Sequence, residues 1–300
     1  MKSATLIKMK LLLLLLLILL LMVFLVAPFT FLKPKAIEQP LEKPTIKIAE
    51  KKVDEVIVKK VLEKPLHDVI LPDFAAVRDV KSKKKKFFDF MRPAVVRQNN
   101  ALLATRVELN LWLEQVSLGL PLSEQESNAL LVLVKRYRVN KNASLLTQLN
   151  ELLVRVDVIP MPLVLVQAAN ESAWGTSRFS RIGLNFFGIW CFREGCGMVP
   201  NGRNTGAKHE VAAFKSLDKA VAHYFYNINS HNAYRVFRTI RLELRSHDQP
   251  LNPEILATGL LPYSERGAEY VIDITTMLRQ NQQYLVEDSA KPDVATDETL

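Results

Sequence analysis

Between Leu11 and Ala27 the chain holds no polar residue, and Pro28, Phe29, Thr30, Phe31 and Leu32 carry the run onward. A helix rises about 1.5 Å per residue, so the stretch approaches the roughly 30 Å hydrocarbon core of a bilayer. Lys2, Lys8 and Lys10 precede it, and positive charge beside a span stays on the cytoplasmic side. The sequence predicts a cytoplasmic N-terminus with a signal anchor or transmembrane helix over 1–32, and an extracytoplasmic body after Lys33. A cleaved signal peptide is the competing reading, since Leu25, Val26 and Ala27 before Pro28 resemble a small-residue cleavage site. The length of the run and a proline right after the cut favour a retained anchor.

The net charge of +9 raises the question of a nucleic-acid partner, and its location answers it. Residues 1–32 carry three lysines and no acid, residues 33–86 carry fifteen bases against nine acids, and from Phe87 onward bases and acids balance at 22 each. A balanced body offers no basic face for a phosphate polymer, so no nucleic-acid partner is expected.

Residues 33–75 are rich in Lys, Glu, Pro and Val, with prolines at 34, 40, 44 and 65 that break any long helix; they read as an extended linker. The lysine run that follows, Lys83 to Lys86, reads as a solvated helix face. From Phe87 the spacing turns helical. Leu102, Leu103, Val107, Leu111 and Leu113 recur near helical spacing, and Ser123 ahead of Glu126 forms a capping box for a second helix. A third candidate is "NKNASLLTQLNELLVRV" and a fourth "VIPMPLVLVQAANESAWG", where prolines are tolerated only in the first turn. Gly183 to Gly206 is dense in Gly, Asn, Cys and aromatics and precedes the short run Glu210 to Phe214, which suggests loops and a small hairpin. Helical spacing returns in "SLDKAVAHYFYNIN", "YRVFRTIRLEL" and "GAEYVIDITTMLRQNQQY". The tail 286–300 has five acids, one lysine and little apolar content, so no folded structure is expected of it. The expectation is a mainly α (α+β) domain over 76–285, with a helical body and a small β-lobe.

Cys191 and Cys196 stand five apart, a spacing that closes a small loop as a disulfide in an oxidising compartment. Zinc needs more ligands than two thiols, and His209 is the only histidine nearby. No metal or cofactor is expected. The histidines have no Ser or Cys partner in a triad-like motif and read as structural.

On the fourth helix Val164, Gln167, Ala168, Glu171 and Gly175 share a face by the i, i+3, i+4 rule. Glu171 falls in the last turn, where the negative end of the helix dipole disfavours a second negative charge, and Trp174 offers an apolar wall. Both effects raise a carboxyl pKa, which suits an acid that must stay protonated near neutrality. A lone glutamate near a helix end is more often a solvated surface residue, so spacing alone does not assign it catalysis.

"QAANESAWGTSRFS", "GLNFFGIW", "FKSLDKAVAHYFYNI" and "YSERGAEYV" follow one another in this order. Together they resemble the glucosaminidase family that cleaves bacterial peptidoglycan (glycoside hydrolase family 73), most closely its membrane-anchored Bax branch. That branch also resembles the upstream "FAAVRDVKSKKKKFFDFMRPAVVRQNNALLATR", so the likeness spans about Phe74 to Tyr284. The resemblance implies a lysozyme-like fold with a glycan cleft between the helical body and the β-lobe. It implies a β-N-acetylglucosaminidase, with Glu171 as the general acid for the β-1,4 bond between N-acetylglucosamine and N-acetylmuramic acid.

The family's helper carboxylate, where present, lies in the β-lobe; the candidates are Glu194, inside the Cys191–Cys196 loop, and Glu210, with Glu194 preferred. The alternative helper is the substrate's own 2-acetamido group. Asn185 matches an asparagine near the family's cleft, Phe187 or Phe186 offers a face for a sugar, Trp174 and Tyr224 are further substrate-binding candidates, and Tyr263 matches a tyrosine that faces the acid. "GLLPYSERG" replaces the more usual GYAT around that tyrosine. The implied setting is the inner membrane of a Gram-negative bacterium, single-pass, with the domain in the periplasm and peptidoglycan strands as partner. A lytic transglycosylase and a non-catalytic peptidoglycan-binding scaffold are the competing functions.

Overall fold

The computed structural model describes residues 63–203 and 206–285, together with Leu16 and Leu17 in a helix. The remainder of the expected anchor (1–32), the linker up to residue 62 and the tail 286–300 lie outside the described residues. Among the described residues no helix is long and apolar enough to cross a membrane. The chain divides into units 1–60 and 61–300, and the second is described below.

The folded unit starts earlier than its composition suggests. Residues 63–75, read from their prolines and charges as linker, are docked on the body. Leu66 N–H donates to Ile182 O at 2.8 Å, the His67 ring bonds Arg181 O at 3.0 Å, Glu63 pairs with Arg178 at 2.6 Å, and Phe74 is buried. Proline breaks a helix but leaves an extended segment free to bond a neighbouring backbone, which is why composition misreads this stretch.

Asp79 caps α1 (Val80–Ser117), accepting from Ser82 N at 2.8 Å. The helix therefore begins ahead of the lysine run, which lies on it as expected, and it continues through Pro93. Its buried stripe of Phe87, Phe88, Met91, Ala94, Val95, Leu102, Leu109 and Trp112 faces the body. The Ser123–Glu126 capping box opens α2 (Glu124–Arg136), and Ser144 caps α3 (Leu145–Arg155).

Pro160 and Pro162 start α4 (Met161–Glu171), where missing N–H groups cost nothing. Every residue from Leu163 to Ala169 is buried. A helix buried on all sides belongs at the centre of a domain, and α4 has α1 against it on one side and α9 (Ala268–Gln280) on another.

The body is completed by α5 (Arg178–Gly183), α6 (Leu217–Ser230), a 3-10 turn Asn232–Tyr234, α7 (Arg235–Ser246), α8 (Pro253–Ala257), a second 3-10 turn Thr258–Tyr263, and α10 (Gln282–Leu285) after α9. Between α5 and α6 lies an antiparallel sheet of β1 (Trp190–Cys191), β2 (Gly197–Met198) and β3 (Glu210–Ala212), in the order β1-β3-β2. Trp190 faces Val211 and Cys191 faces Glu210 in one ladder, and Gly197 faces Ala212 in the other.

A network that no motif announces ties α7 to the entry of α4. The Asp157 carboxylate, 2% exposed, takes Arg245 at 2.9 Å, Arg106 at 3.5 Å and Arg241 at 3.7 Å. Arg241 is itself 1% exposed and also donates to Val158 O, Val154 O and Asn229 Oδ1. Burial pushes its guanidinium down to about 10.

Candidate functional site

The carboxyl that ends α4 is positioned by a tight turn. After Glu171, Ala173, Trp174 and Gly175 take φ of 49, 59 and 75° in succession, a left-handed run that costs the two non-glycine residues energy. Ser172 offsets this: its hydroxyl donates to Ala168 O at 2.6 Å and accepts from Gly175 N at 2.9 Å, while Trp174 N reaches Ala169 O at 2.8 Å. Gly175 is required twice over, by its φ and because a Cβ there would stand 2.5 Å from the Phe74 ring. The turn sends Trp174 toward α1, where its ring meets Phe87 and Phe88 edge-on at 5.7 and 5.3 Å, with Lys84 over its face at 5.4 Å. Trp174 thus locks α4 onto α1.

Glu171 is half-buried, and burial raises its pKa above the ordinary carboxylate value. The nearby Tyr270 hydroxyl, the Asn170 amide and the charge of Arg266 act in the opposite direction without cancelling it. Asn170 Nδ2 lies 3.2 Å from Oε1. On the other side stands Gly188, exposed and with φ of 64°; a Cβ there would lie 3.5 Å from Glu171 Oε2. Among the described residues no carboxylate bonds Glu171 or appears among the charges that shift it.

Behind the carboxyl lies a floor of tyrosines. Tyr270 stacks on Tyr263 at 5.4 Å with an 11° interplanar angle, Phe187 stacks on Tyr224 at 4.3 Å, and Tyr263 touches Tyr224 and Tyr234 at 6.3 and 6.0 Å. Burial pushes the hydroxyls of Tyr224, Tyr234, Tyr263 and Tyr270 above their usual pKa. They remain neutral donors at any physiological pH.

Several candidates occupy this neighbourhood in roles other than sugar contact. Asn185 is 2% exposed, donates to Ile189 O and Ala212 O at 2.8 and 2.9 Å, and accepts from Ile189 N and Phe187 N at 3.0 and 3.3 Å. All four of its amide valences go to the backbone, so it holds the Phe187–Ile189 turn against β3 and has none left for a ligand. Phe187 and Tyr224 are buried, forming the floor rather than an open platform. Tyr263 donates to Phe187 O at 2.8 Å. Val164 and Ala168, on the helix face of Glu171, are fully buried, whereas Gly188 beside the carboxyl is exposed.

Cys191 and Cys196 are joined by a disulfide, so their sulfurs are not available as thiolate ligands. Glu210, 4% exposed on β3, accepts from Gly195 N at 3.0 Å and Gly197 N at 2.8 Å. These bonds hold its pKa below the usual carboxylate range, and they make Glu210 the anchor of the disulfide loop. Glu194 is exposed at the loop's tip. Flanking it, Trp190 and Phe192 are 48% and 80% exposed, the former edge-on to His209. Gln167 and Tyr270 were not among the sequence candidates; both lie within quoted motifs, one helical turn before Glu171 and seven residues after Tyr263.

The family model for mannosyl-glycoprotein endo-beta-N-acetylglucosaminidase matches residues 147–289, which span α4, the β-lobe and the tyrosine floor. Protein bax of Escherichia coli (strain K12) is 32% identical over 216 residues, covering 72% of this chain and 76% of its own. No solved structure matches. An acid at the end of a central helix, a small β-lobe and these two likenesses agree, and the chain belongs to the glucosaminidase family, together with Bax.

Proposed function

We propose that the protein is a peptidoglycan hydrolase that cleaves the β-1,4 bond between N-acetylglucosamine and N-acetylmuramic acid, with Glu171 as general acid. The observation that carries this reading is the half-buried Glu171 carboxyl, raised in pKa by burial and open on the Gly188 side. A protonated carboxyl held beside an opening suits protonation of a leaving glycosidic oxygen.

In this reading the nucleophile is the substrate's 2-acetamido oxygen, the helper that needs no second carboxylate. It attacks the anomeric carbon as the C–O bond to the leaving sugar breaks, and Glu171 gives its proton to the departing oxygen. Water then adds to the anomeric carbon, the oxazolinium ring opens, and the Glu171 carboxylate takes the proton released. Asn170 and Tyr270 steady the carboxylate between the two steps.

Trp190 and Phe192 support a carbohydrate substrate. They stand two apart in the chain, in β1 and in the disulfide-closed loop that follows, and such exposed rings suit the apolar face of a pyranose. The apolar run before Lys33 would tether the domain in the periplasm to the inner membrane. The roughly thirty residues between Lys33 and Glu63 would span about 100 Å at most if fully extended.

The test is digestion of purified sacculi by the wild-type protein and by Glu171→Gln, with products read by mass spectrometry. Soluble muropeptides ending in reducing N-acetylglucosamine, lost in the variant, are expected. 1,6-Anhydro-muramic ends would make the protein a transglycosylase, and sacculus binding without product would make it a scaffold.

A further inference from the structure

Gln167 is fully buried one turn before Glu171, a costly place for an amide unless its bonds do something. Its Oε1 accepts the Tyr224 hydroxyl, and its Nε2 donates to Tyr270 Oη at 2.8 Å. The Tyr270 hydroxyl in turn lies near enough to the Glu171 carboxyl to lower its pKa, and Gln167 stands one turn before Glu171 on the same helix face. The direction of this chain is determined. Tyr224 is 1% exposed and its hydroxyl has no other acceptor among the described residues, so the amide oxygen must face Tyr224 and the amide N–H must face Tyr270. A phenol that accepts from an amide turns its own hydrogen elsewhere, and for Tyr270 that is Glu171.

We propose that Gln167 is a positioning residue: held by Tyr224, it turns the Tyr270 hydroxyl hydrogen onto Glu171, so that the proton on the Glu171 carboxyl is directed away from the floor and toward the substrate opening. The role assigned to that last proton rests on the glycosidase reading; the orientation of the hydroxyl does not. A flipped amide would present oxygen to Tyr270, draw its hydrogen off Glu171 and leave Tyr224 without an acceptor. The titratable and charged groups around Glu171 are Tyr270 from α9, Arg266 from the segment before it, Tyr224 from α6, Tyr234 from the turn after α6 and Tyr263 from the turn before Arg266. The phenols are all raised in pKa, so Tyr270 enters as a neutral donor whose direction alone matters.

The test is a carboxyl-carbon NMR titration of Glu171 in protein labelled at glutamate, with the resonance assigned by its disappearance in Glu171→Gln. Gln167→Met removes both amide bonds at similar length. Tyr270→Phe is expected to raise the Glu171 pKa because a donor to the carboxylate is lost, and Gln167→Met to raise it by less, because the Tyr270 hydroxyl loses the amide N–H that fixes and strengthens its donation. The double variant is expected to match Tyr270→Phe alone, since Gln167 acts through Tyr270. Tyr224→Phe, which removes one buried oxygen and keeps the ring, is expected to move it the same way by less, and it serves if Gln167→Met does not fold.

In sacculus digestion, Gln167→Met should lower kcat about tenfold with KM unchanged and shift the alkaline limb of the pH profile upward. An unchanged Glu171 titration in both Gln167→Met and Tyr224→Phe, or shifts that add in the double variant, would overturn the proposal. Wild-type protein that titrates as expected yet releases no muropeptide would overturn the glycosidase reading and leave the hydroxyl orientation standing.

Discussion

The backbone of Gly188 lies against Glu171 so closely that a Cβ on Gly188 would sit 3.5 Å from Glu171 Oε2. The absent side chain is what leaves the acid open. Gly188→Ala places an L residue at φ of 64°, a strain of about 1–2 kcal/mol; Gly188→Val adds the further strain of a β-branched residue in that region and extends branches over the carboxyl. Both variants should melt lower, the valine variant more so. Muropeptide release should fall further in the valine variant, to about 10²-fold below wild type, because a bulky obstruction displaces the bound sugar. Equal activity in the two would show that the branches do not obstruct the acid.

Glu171→Gln should be more stable than the wild type at neutral pH, by about 1 kcal/mol. The folded-state pKa of Glu171 is raised, so between the unfolded value and the folded one the native state binds more protons than the unfolded chain, and stability falls as pH rises. The cost is fully present above the folded pKa and absent below the unfolded pKa, where the carboxyl is neutral in both states. The advantage of the glutamine variant in urea titrations should therefore vanish as pH drops below about 4.

Arg266 is exposed, pairs with Asp273 at 2.5 Å and lowers the Glu171 pKa through its charge. Arg266→Gln should move the alkaline limb of kcat/KM to higher pH. The charge acts from the surface, so salt should screen it: at about 1 M NaCl, where the Debye length is about 3 Å, the wild-type limb should approach that of the variant. A limb that does not move would mean that the Asp273 and Glu269 pairings already neutralise Arg266 at the site.

Phe192, at 80% exposure on the disulfide-closed loop, is not part of the core, unlike the buried Phe187. Phe192→Ala should leave the melting temperature within about 1 °C of wild type, as for surface changes generally. If the ring stacks on a sugar, KM for sacculi should rise several-fold in Phe192→Ala and further in a Trp190→Ala, Phe192→Ala double variant, with kcat held. A KM unchanged in both would remove these two rings from the substrate path.

What the sequence made legible follows from which physics is local. The Ser123–Glu126 box, the prolines at the start of α4 and the place of Glu171 in its last turn are set by neighbours in the chain, and all appear in the structure. So does the direction of the Glu171 shift, although burial rather than the helix dipole is its leading cause. The roles of Asn185, Gln167 and Glu210 were not legible, because each depends on which backbone groups or phenols approach from elements far along the chain. An asparagine in a cleft motif looks the same whether its amide meets a sugar or four backbone groups. Residues 63–75 were misread for the same reason, since composition reports on helix breaking and not on docking.

Asp157 shows how far a non-local role can be hidden and yet be testable. It carries no motif, but three guanidiniums converge on it, and Arg241 is almost without solvent. Removing the sole carboxylate of a buried ion-pair cluster leaves uncompensated charge, at a cost of about 3–5 kcal/mol. Asp157→Asn keeps the shape and the backbone carbonyl that accepts from Asn229 and Arg241, so the loss should come from charge alone. The expected result is a fall of that size in urea stability, while activity well below the melting temperature persists, because the cluster holds the entry of α4 and Glu171 stands at its exit. A loss under about 1 kcal/mol would show that the carbonyls of Val154 and Val158, with Asn229, suffice to hold Arg241.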